Sequence, residues 1–182
     1  EHRDNLWSDG EGNIQLSEDD TPYRGTVLEH LLIQHLTSFY DVGEHNHIRL
    51  RGADWNDGLD MAEKRGESVA FTALYGGNLR DLAKDIMILS KKTGKDTISL
   101  AKEIEVLLNA DKTVYDSIDE KHKVLNAYCN AVGHKVSGEK VSVDCTKLCN
   151  VLNEMSSWIA DHIRKTEWIT NKEGNSWFNG YY

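Results

Sequence analysis

Apolar residues recur at intervals of three and four in five stretches of the chain, and this spacing is typical of amphipathic helices. The first stretch begins at residue 25 or 26, shortly after the chain's single proline, Pro22, and ends before Gly43. The second extends from Ser68 to Thr93, and Gly94 follows it as a helix terminator. The pattern therefore predicts two long helices in the first half of the chain, separated by an irregular segment.

Two shorter helices are predicted next. The third helix spans roughly residues 97–109 and carries its leucines and its isoleucine on one face. The fourth opens at Ser117 and Glu120, whose spacing predicts a capping box in which each side chain accepts a hydrogen bond from the other residue's backbone N–H. We expect this helix to end at Gly133.

The last long helix is predicted from about Asp144 to Lys165, and residues 135–143 before it are typical of a small β-hairpin. Cys145 and Cys149 lie one helical turn apart on this helix, and we interpret them as buried small hydrophobic side chains. Five amphipathic helices with almost no strand predict an all-α fold, in which helical hairpins pack side by side.

Gly76 and Gly77 interrupt the second predicted helix. Each glycine inside a helix costs about 1 kcal/mol relative to alanine, so the pair needs an explanation. A neighbouring element that approaches closely would explain it, as would a ligand, and a local kink is the simplest alternative.

Three segments lack a helical period. Residues 1–23 are rich in polar residues and glycine, and residues 166–182 are rich in asparagine and aromatic residues. Both segments are predicted to be loops. Residues 43–66 hold four glycines and many charges and are predicted to form a long structured loop. Because loops of this length without regular structure are uncommon and are often functional, this segment is the first place to look for chemistry.

The composition narrows the classes of partner. Acidic residues outnumber basic ones 30 to 21, and the resulting net charge of −9 argues against binding to nucleic acid or to an anionic membrane surface. No apolar run approaches the ~20 residues that a transmembrane helix needs. The three cysteines cannot all pair with one another, which favours a reduced, cytoplasmic compartment.

The two ends of the chain indicate a piece of a longer protein. The chain begins at Glu1 rather than at a methionine, and four of its last six residues are aromatic. Such a tail would be unusual if solvent surrounded it. We therefore expect residues 1–182 to be a fragment of one domain.

The segment with the sequence ADWNDGLD, residues 53–60, is the strongest candidate for chemistry. Asp54, Asp57 and Asp60 are spaced three apart, and they approach one face if the segment turns helically. Carboxylates this close repel one another, so at least one of their pKa values should be raised. A neutral carboxylic acid is what proton donation to a leaving oxygen requires.

The residues between these carboxylates fit the binding of a sugar. Trp55 offers a flat apolar surface for a sugar ring, and Asn56 can hold hydroxyl groups or cap a turn. Asp54 is counted with them as a substrate-binding candidate. Clusters of Asp, Asn and Gly also form purely structural turns, and that alternative stays open. A calcium loop is excluded because the twelfth position from Asp54 is Arg65 rather than glutamate.

Other residue types give weaker signals. His45 and His47 suggest a metal site, but zinc sites need three or four ligands at recognisable spacings, so no metal is predicted. Trp158, Trp168 and Trp177 could belong to the core or could form a platform for a sugar, and the core is the favoured interpretation.

Residues 53–60 resemble the central motif of glycoside hydrolase family 94, which contains the inverting β-glucoside phosphorylases. The letters DWND, followed by glycine and leucine, carry the resemblance, and the flanks at residues 25–30, 67–71 and 177–181 look similar too. The resemblance implies an (α/α)6 barrel as the catalytic domain, of which this chain would form a part. It also implies that Asp57 is the general acid and that Trp55 contacts sugar.

The same resemblance implies phosphorolysis of β-linked glucosides or oligoglucans, with β-1,2-linked oligoglucosides as one candidate substrate. Asp57 would protonate the glycosidic oxygen while inorganic phosphate, the co-substrate, attacks from the opposite face and yields an α-sugar 1-phosphate. No further cofactor is expected. The family's phosphate ligands are not recognised in this chain, so we expect the isolated fragment to be inactive without the rest of its parent polypeptide, and a homodimer is compatible with this interpretation.

Two alternatives stay open. An inverting hydrolase with the same barrel would need a second carboxylate about 6.5–9.5 Å from Asp57 to activate water. A non-catalytic helical scaffold would use the aspartates as a structural turn and would pack Asp57 and Trp55 into protein, away from any cleft.

Overall fold

A computed structural model of the protein describes residues 15–51, 62, 64–133 and 135–182. These residues form a mostly helical structure with short strands at the ends of the helices. The α-helices are α1 (Val27–Tyr40), α2 (Val69–Thr93), α3 (Glu105–Leu108), α4 (Ile118–Ala131) and α5 (Cys145–Thr166), with 3-10 turns at Lys102–Ile104 and Lys112–Asp116. The strands are β1 (Leu16–Ser17), β2 (Ile48–Arg49), β3 (Glu67–Ser68), β4 (Thr97–Ala101), β5 (Lys135–Val136), β6 (Lys140–Asp144), β7 (Trp168–Thr170) and β8 (Ser176–Phe178).

The long helices begin and end close to where the sequence predicts. The α1 helix has a full capping box: the Thr26 hydroxyl accepts from the N–H of Glu29, and the Glu29 carboxylate accepts from the N–H of Thr26. The α2 helix is capped by Ser68 and stops at Gly94, which adopts the left-handed conformation at φ 67°. Favourable N-caps and a glycine C-cap therefore fix the ends that periodicity alone leaves uncertain.

The capping box predicted for α4 forms only in part. Ser117 accepts from the N–H of Glu120 as expected. The Glu120 carboxylate instead pairs with Lys123, at 2.5 Å, and the N–H of Ser117 donates to the carbonyl oxygen of Val114 at 3.1 Å. Because Glu120 forms an ion pair with Lys123, one turn along the helix, its side chain does not accept from the N–H of Ser117.

The third predicted helix is wrong over its first part, because residues 97–101 form the strand β4 rather than a helix. This strand pairs antiparallel with β6, from Thr97 opposite Asp144 to Ala101 opposite Lys140. Ile98 and Leu100 alternate with polar residues, so the local period is two, and only the later residues up to Leu108 turn helically.

The predicted hairpin over residues 135–143 is also wrong in its pairing. Both strands exist, but β5 pairs in parallel with β1 and β6 pairs with β4. Residues 166–182, predicted to be loop, contain the antiparallel pair β7–β8, with Trp168 opposite Phe178. Short strands of two to five residues carry too little periodicity to reveal their partners.

The core lies between α1, α2, α4 and α5. The helices α2 and α5 pack along each other and come close together at Gly76, where an added Cβ would lie 2.9 Å from Cγ2 of Ile159. Close approach of a neighbouring helix therefore explains Gly76, the first of the three explanations considered for the glycine pair. The predicted burial of Cys145 and Cys149 is confirmed, since both are at most 5% exposed.

No helix in the described ranges combines the length and the apolar character that crossing a bilayer requires.

Candidate active site

The predicted site residues Asp54, Trp55, Asn56 and Asp57 lie outside the described residues, as does Asp60. Their assignment as acid and sugar-binding residues stays a prediction. The described residues on either side of the segment show how the chain enters and leaves it, and they include several buried polar groups.

The two strands that flank the 53–60 segment pair with each other. Ile48 lies opposite Ser68 and Arg49 lies opposite Glu67 in the β2–β3 ladder. One residue further along, the N–H of Leu50 donates to the carbonyl oxygen of Gly66 at 2.8 Å. The ladder holds the two ends of the intervening segment side by side, so we call β2 and β3 the stem of the motif.

The Glu67 carboxylate binds the loop that precedes the stem, residues 43–47. It is fully buried, at 0% exposure, and accepts from the backbone N–H of His45 at 3.0 Å and of His47 at 3.0 Å. It fits against this loop because Gly43 has no side chain: a Cβ there would lie 2.4 Å from Cδ of Glu67. Charged acceptors with several donors make strong hydrogen bonds inside a protein, so Glu67 fixes the loop to the stem.

The side chain of His45 is held by the same carboxylate. Its Nδ1 lies 2.9 Å from Oε1 of Glu67. Its ring stacks flat on the ring of Tyr182, with centroids 3.6 Å apart and an angle of 5° between the planes. Tyr182 is itself bound to the stem, since its N–H and carbonyl oxygen exchange hydrogen bonds with Glu67 at 3.0 and 3.1 Å.

Asn46 turns the loop and is held from two sides. Its backbone adopts the left-handed region at φ 64°, which asparagine tolerates better than most residues. Its amide donates to the carbonyl oxygen of Tyr115 at 3.0 Å, and its Oδ1 accepts from Nζ of Lys121 at 2.9 Å. The loop conformation is therefore tied to α4 through a buried lysine.

Lys121 sits in an unusual environment for a lysine. It is 1% exposed, and its Nζ lies 4.1 Å from the ring centroid of Phe39 and 3.9 Å from that of Trp158. Burial lowers the pKa of Lys121 to about 7, although the nearby charge of Asp116 raises it. Cation–π contact with the two aromatic rings favours the ammonium form, and so it opposes the effect of burial.

A second buried carboxylate, Glu167, holds His47. Nε2 of His47 lies 2.9 Å from Oε1 of Glu167, and the hydroxyl of Tyr182 donates to Oε2 at 2.9 Å. Burial raises the pKa of Glu167, but hydrogen bonds from His47, Thr166 and Tyr182 outweigh it and lower the pKa below its usual value.

His162, on α5, completes the set of contacts to the loop. Its Nε2–H donates to the carbonyl oxygen of His45 at 3.0 Å, and its ring stacks on Trp158 with centroids 4.8 Å apart. Burial lowers the pKa of His162, although its hydrogen bond to His45 acts in the opposite direction. The loop before the stem is thus bound by helices that are far apart in sequence.

A cavity of about 580 Å³ opens beside the loop and the stem. Its volume lies in the range of small-molecule sites. The described residues around it come from the loop, from β2, from residues 64–65 just before β3 and from the start of α4. They include Glu44, Arg49, Lys64, Arg65 and Asp119. Both positively and negatively charged side chains line the cavity. Together they offer hydrogen-bond donors and acceptors, which suits a ligand rich in hydroxyl groups.

His45 and His47 were the weak candidates for a metal site, and in the structure they contact separate carboxylates. Each ring nitrogen that has a partner faces a different carboxylate, Glu67 or Glu167. Within the described ranges of the chain, no cluster of three or more histidine, cysteine or acidic side chains could hold a metal ion.

The three tryptophans separate into two groups. Trp158 packs against the core beside Phe39 and Tyr115, in agreement with the favoured interpretation. Trp168 and Trp177 are 55% and 47% exposed on the β7–β8 hairpin, so the core interpretation is wrong for them. In the described residues the hairpin pairs with no third strand. Its two tryptophans are therefore not covered by a neighbouring strand.

Sequence reasoning did not single out Glu67, Lys121 or Glu167. All three are charged residues, and charged residues are usually exposed, so the sequence gives no reason to expect them in the interior. In the structure all three are at most 1% exposed. The local signals were the proximity of Glu67 to the 53–60 segment and its place in the flank at residues 67–71, and neither indicates burial, because burial of a charge depends on partners that are distant along the chain.

Comparison with known proteins identifies the chain's relatives at the level of a family. Residues 7–162 match the sequence profile of the Glycosyl hydrolase 94 superfamily, catalytic domain. The match includes the 53–60 segment and confirms the resemblance drawn from it. A search of curated proteins finds no match to the chain.

Proposed function

The chain belongs to the glycosyl hydrolase 94 superfamily, a family of carbohydrate-active enzymes, and on this basis we propose that it is part of an inverting glycoside phosphorylase. Its substrates are β-linked glucosides or oligoglucans and inorganic phosphate, and its product is an α-sugar 1-phosphate. The observation that carries the proposal is the family match across residues 7–162, which contains Asp57 within its central motif.

Asp57 acts as the general acid in this proposal. It donates its proton to the glycosidic oxygen as the bond to the anomeric carbon breaks, and phosphate attacks that carbon from the opposite face. Hydrolysis with inversion needs a second carboxylate to activate water, whereas phosphate is already a nucleophile and needs no base. A single acid therefore suffices for the reaction.

The neighbours of Asp57 bind the sugar. Trp55 provides an apolar face for the ring, and Asn56 and Asp54 hold hydroxyl groups. The β2–β3 stem supports the proposal because Glu67 binds it to the loop at residues 43–47, so the chain on either side of the segment is held in place. Catalytic groups need support of this kind to hold a productive geometry.

The chain supplies part of an (α/α)6 barrel, and the intact enzyme supplies the residues that bind phosphate. Phosphate is the co-substrate, and no further cofactor takes part. The enzyme acts in the cytoplasm on soluble oligosaccharides, in keeping with its net charge of −9 and its three cysteines.

The experiment compares the intact enzyme with its Asp57→Asn variant. Asparagine cannot donate the proton, so release of sugar 1-phosphate should fall by about 10²–10⁴-fold while calorimetry still detects binding of the β-glucoside. Asp85→Asn, at an exposed position on α2, is the matched control and should leave turnover unchanged.

Two results would reject the proposal. Turnover near the wild-type level in Asp57→Asn would remove this residue from the role of the acid. Cleavage that proceeds equally well without phosphate would favour the inverting hydrolase instead.

A further inference from the structure

A second cavity lies between the first half of α2 and the second half of α5, and its volume is about 560 Å³. Small residues of α2 line it along the helix, namely Ala70, Ala73 and Gly77. Phe178 of β8 lines it too, with a side chain that is 47% exposed. We call this cavity the α2–α5 cleft. An apolar groove between two helices is a surface that can receive a third helix.

The cleft follows the common axis of two antiparallel helices. Oγ of Ser156 donates to the carbonyl oxygen of Gly76 at 2.7 Å, and Sγ of Cys149 donates to that of Ala83 at 3.2 Å. Positions on α5 therefore decrease as positions on α2 increase. The lining residues on α2 extend over residues 69–80, so the cleft is about 16 Å long and suits a rod-shaped ligand.

Two arginines line the cleft, one near each end. In the antiparallel register Arg164 lies level with the start of α2, and Arg80 lies about 18 Å further along the axis. Arg164 has only a long contact of 3.4 Å to the exposed Asp161, and Arg80 forms no ion pair within the described part of the chain. In a chain with a net charge of −9, these two guanidinium groups call for carboxylates from a partner.

Gly77 points to close approach of that partner. It lies inside α2, where a glycine costs about 1 kcal/mol relative to alanine, and it lines the cleft. Contact with Ile159 explains Gly76, but a Cβ at Gly77 would meet no atom within 4 Å among the described residues. The bare backbone at Gly77 therefore leaves room for a group that is not part of the described chain.

We propose that the α2–α5 cleft binds an amphipathic α-helix of a separate protein, which packs small apolar side chains against Gly77 and places one acidic residue on each of Arg80 and Arg164. Two acidic residues at positions i and i+11 of a helix lie on one face and are about 16 Å apart, which matches the separation of the arginines. An amphiphile with a single charged head group would reach only one of them.

The first test measures binding of a synthetic peptide to the intact enzyme by fluorescence polarisation. The peptide has about 16 residues and is stapled, because free helices of this length are marginal in water. It carries alanine and leucine on its apolar face and glutamate at positions i and i+11, and a second peptide carries lysine at both positions. The glutamate peptide should bind about tenfold more tightly or better, and added salt should reduce the difference.

Charge reversal in the protein tests the role of the two arginines. The double variant Arg80→Glu/Arg164→Glu should reverse the preference, so that the lysine peptide binds more tightly. Lys91→Glu/Lys92→Glu is the matched control, because it makes the same change in net charge at exposed positions of α2 beyond the cleft, and it should keep the wild-type preference.

The second test separates binding from stability. Gly77→Leu fills the cleft with a side chain that has free space in the protein alone, so it should weaken the glutamate peptide by about tenfold or more without lowering the free energy of unfolding. Asn78→Leu, at the next position and outside the lining of the cleft, is the control and should bind the peptide as the wild type does.

Four results would overturn the proposal. Equal affinities for the two peptides would remove the arginines from recognition, and unchanged affinity in Gly77→Leu would place the peptide elsewhere. Absence of binding to the intact enzyme would show that the cleft is closed to other proteins. A dimer of the enzyme that Gly77→Leu dissociates in sedimentation would assign the cleft to a second copy. None of these results depends on whether Asp57 is the acid or whether cleavage requires phosphate.

Discussion

The glycine pair in α2 provides a test of helix packing with an internal control. Gly76 and Gly77 are adjacent in the same helix, so replacing either by alanine brings the same gain in helix propensity, about 1 kcal/mol. Their surroundings differ: a Cβ at Gly76 would lie 2.9 Å from Cγ2 and 3.3 Å from Cβ of Ile159, whereas a Cβ at Gly77 would meet no atom within 4 Å.

The difference between the two variants isolates the cost of the clash. Carbon atoms attract one another best at separations of about 3.5–4.0 Å, and Cβ and Cγ2 of Ile159 cannot swing away as the end of a flexible chain could. Overpacking of this kind costs about 1–3 kcal/mol. A shift of α5 would also stretch the hydrogen bond from Oγ of Ser156 to the carbonyl oxygen of Gly76, now 2.7 Å. Gly77→Ala should therefore stabilise the protein, and Gly76→Ala should be about 1–3 kcal/mol less stable than Gly77→Ala.

Urea denaturation followed by circular dichroism measures this difference. The midpoint should rise for Gly77→Ala and should lie well below that value for Gly76→Ala, with unchanged slopes, so that the shift reports stability alone. Free energies of unfolding that agree within about 0.3 kcal/mol for the two variants would refute the account of the α2–α5 contact.

Three further predictions concern the buried polar groups. Burial raises the pKa of Glu29, but hydrogen bonds from Lys140 and other donors lower it to about 2. Because the folded value lies below the unfolded value of 4.5, Glu29→Gln should cost about 3 kcal/mol at pH 7 in urea denaturation, and a cost that does not shrink as the pH falls from 4.5 to 2 would contradict the assignment. The pKa of Lys121, lowered by burial from 10.5 to about 7, means that the folded state binds fewer protons than the unfolded state between these values. Wild-type stability relative to Lys121→Met should therefore rise from pH 7 to pH 10, and a flat difference would refute the shift. Gly43→Ala would place a Cβ 2.4 Å from Cδ of Glu67, so it should speed hydrogen exchange at the two loop amides that this carboxylate binds, and unchanged protection there would show that the fit is not tight.

Helix periodicity predicted most of the scaffold because α1, α2, α4 and α5 are long enough for three or more turns to bury one face. Prediction was wrong where the elements are short. The spacing of Leu100, Ile104 and Leu107 predicts that the helix includes residues 97–101, whereas the strand β4 depends on pairing with β6, about forty residues later. Such pairing is set by tertiary contacts that local sequence does not contain.

The sequence motif predicts the candidate site, but it does not predict the buried contacts that hold the neighbouring loop and stem together. The letters of the 53–60 segment pointed to a carbohydrate enzyme, as the family match confirms at the level of the superfamily. The bond between Glu67 and His45 joins residues 22 positions apart, and the bond between Glu167 and His47 joins residues 120 positions apart. Neither pair has a sequence spacing that marks it, because the contacts arise only when α5 and the stem come together.

The most direct test of the central claim is the product that the intact enzyme forms from a β-glucoside and phosphate in the first minutes of reaction, observed by phosphorus and proton NMR. Inverting phosphorolysis predicts that α-sugar 1-phosphate appears in step with the loss of the glycosidic bond and only when phosphate is present. Free sugar released at the same rate without phosphate, or a β-configured sugar phosphate, would contradict it.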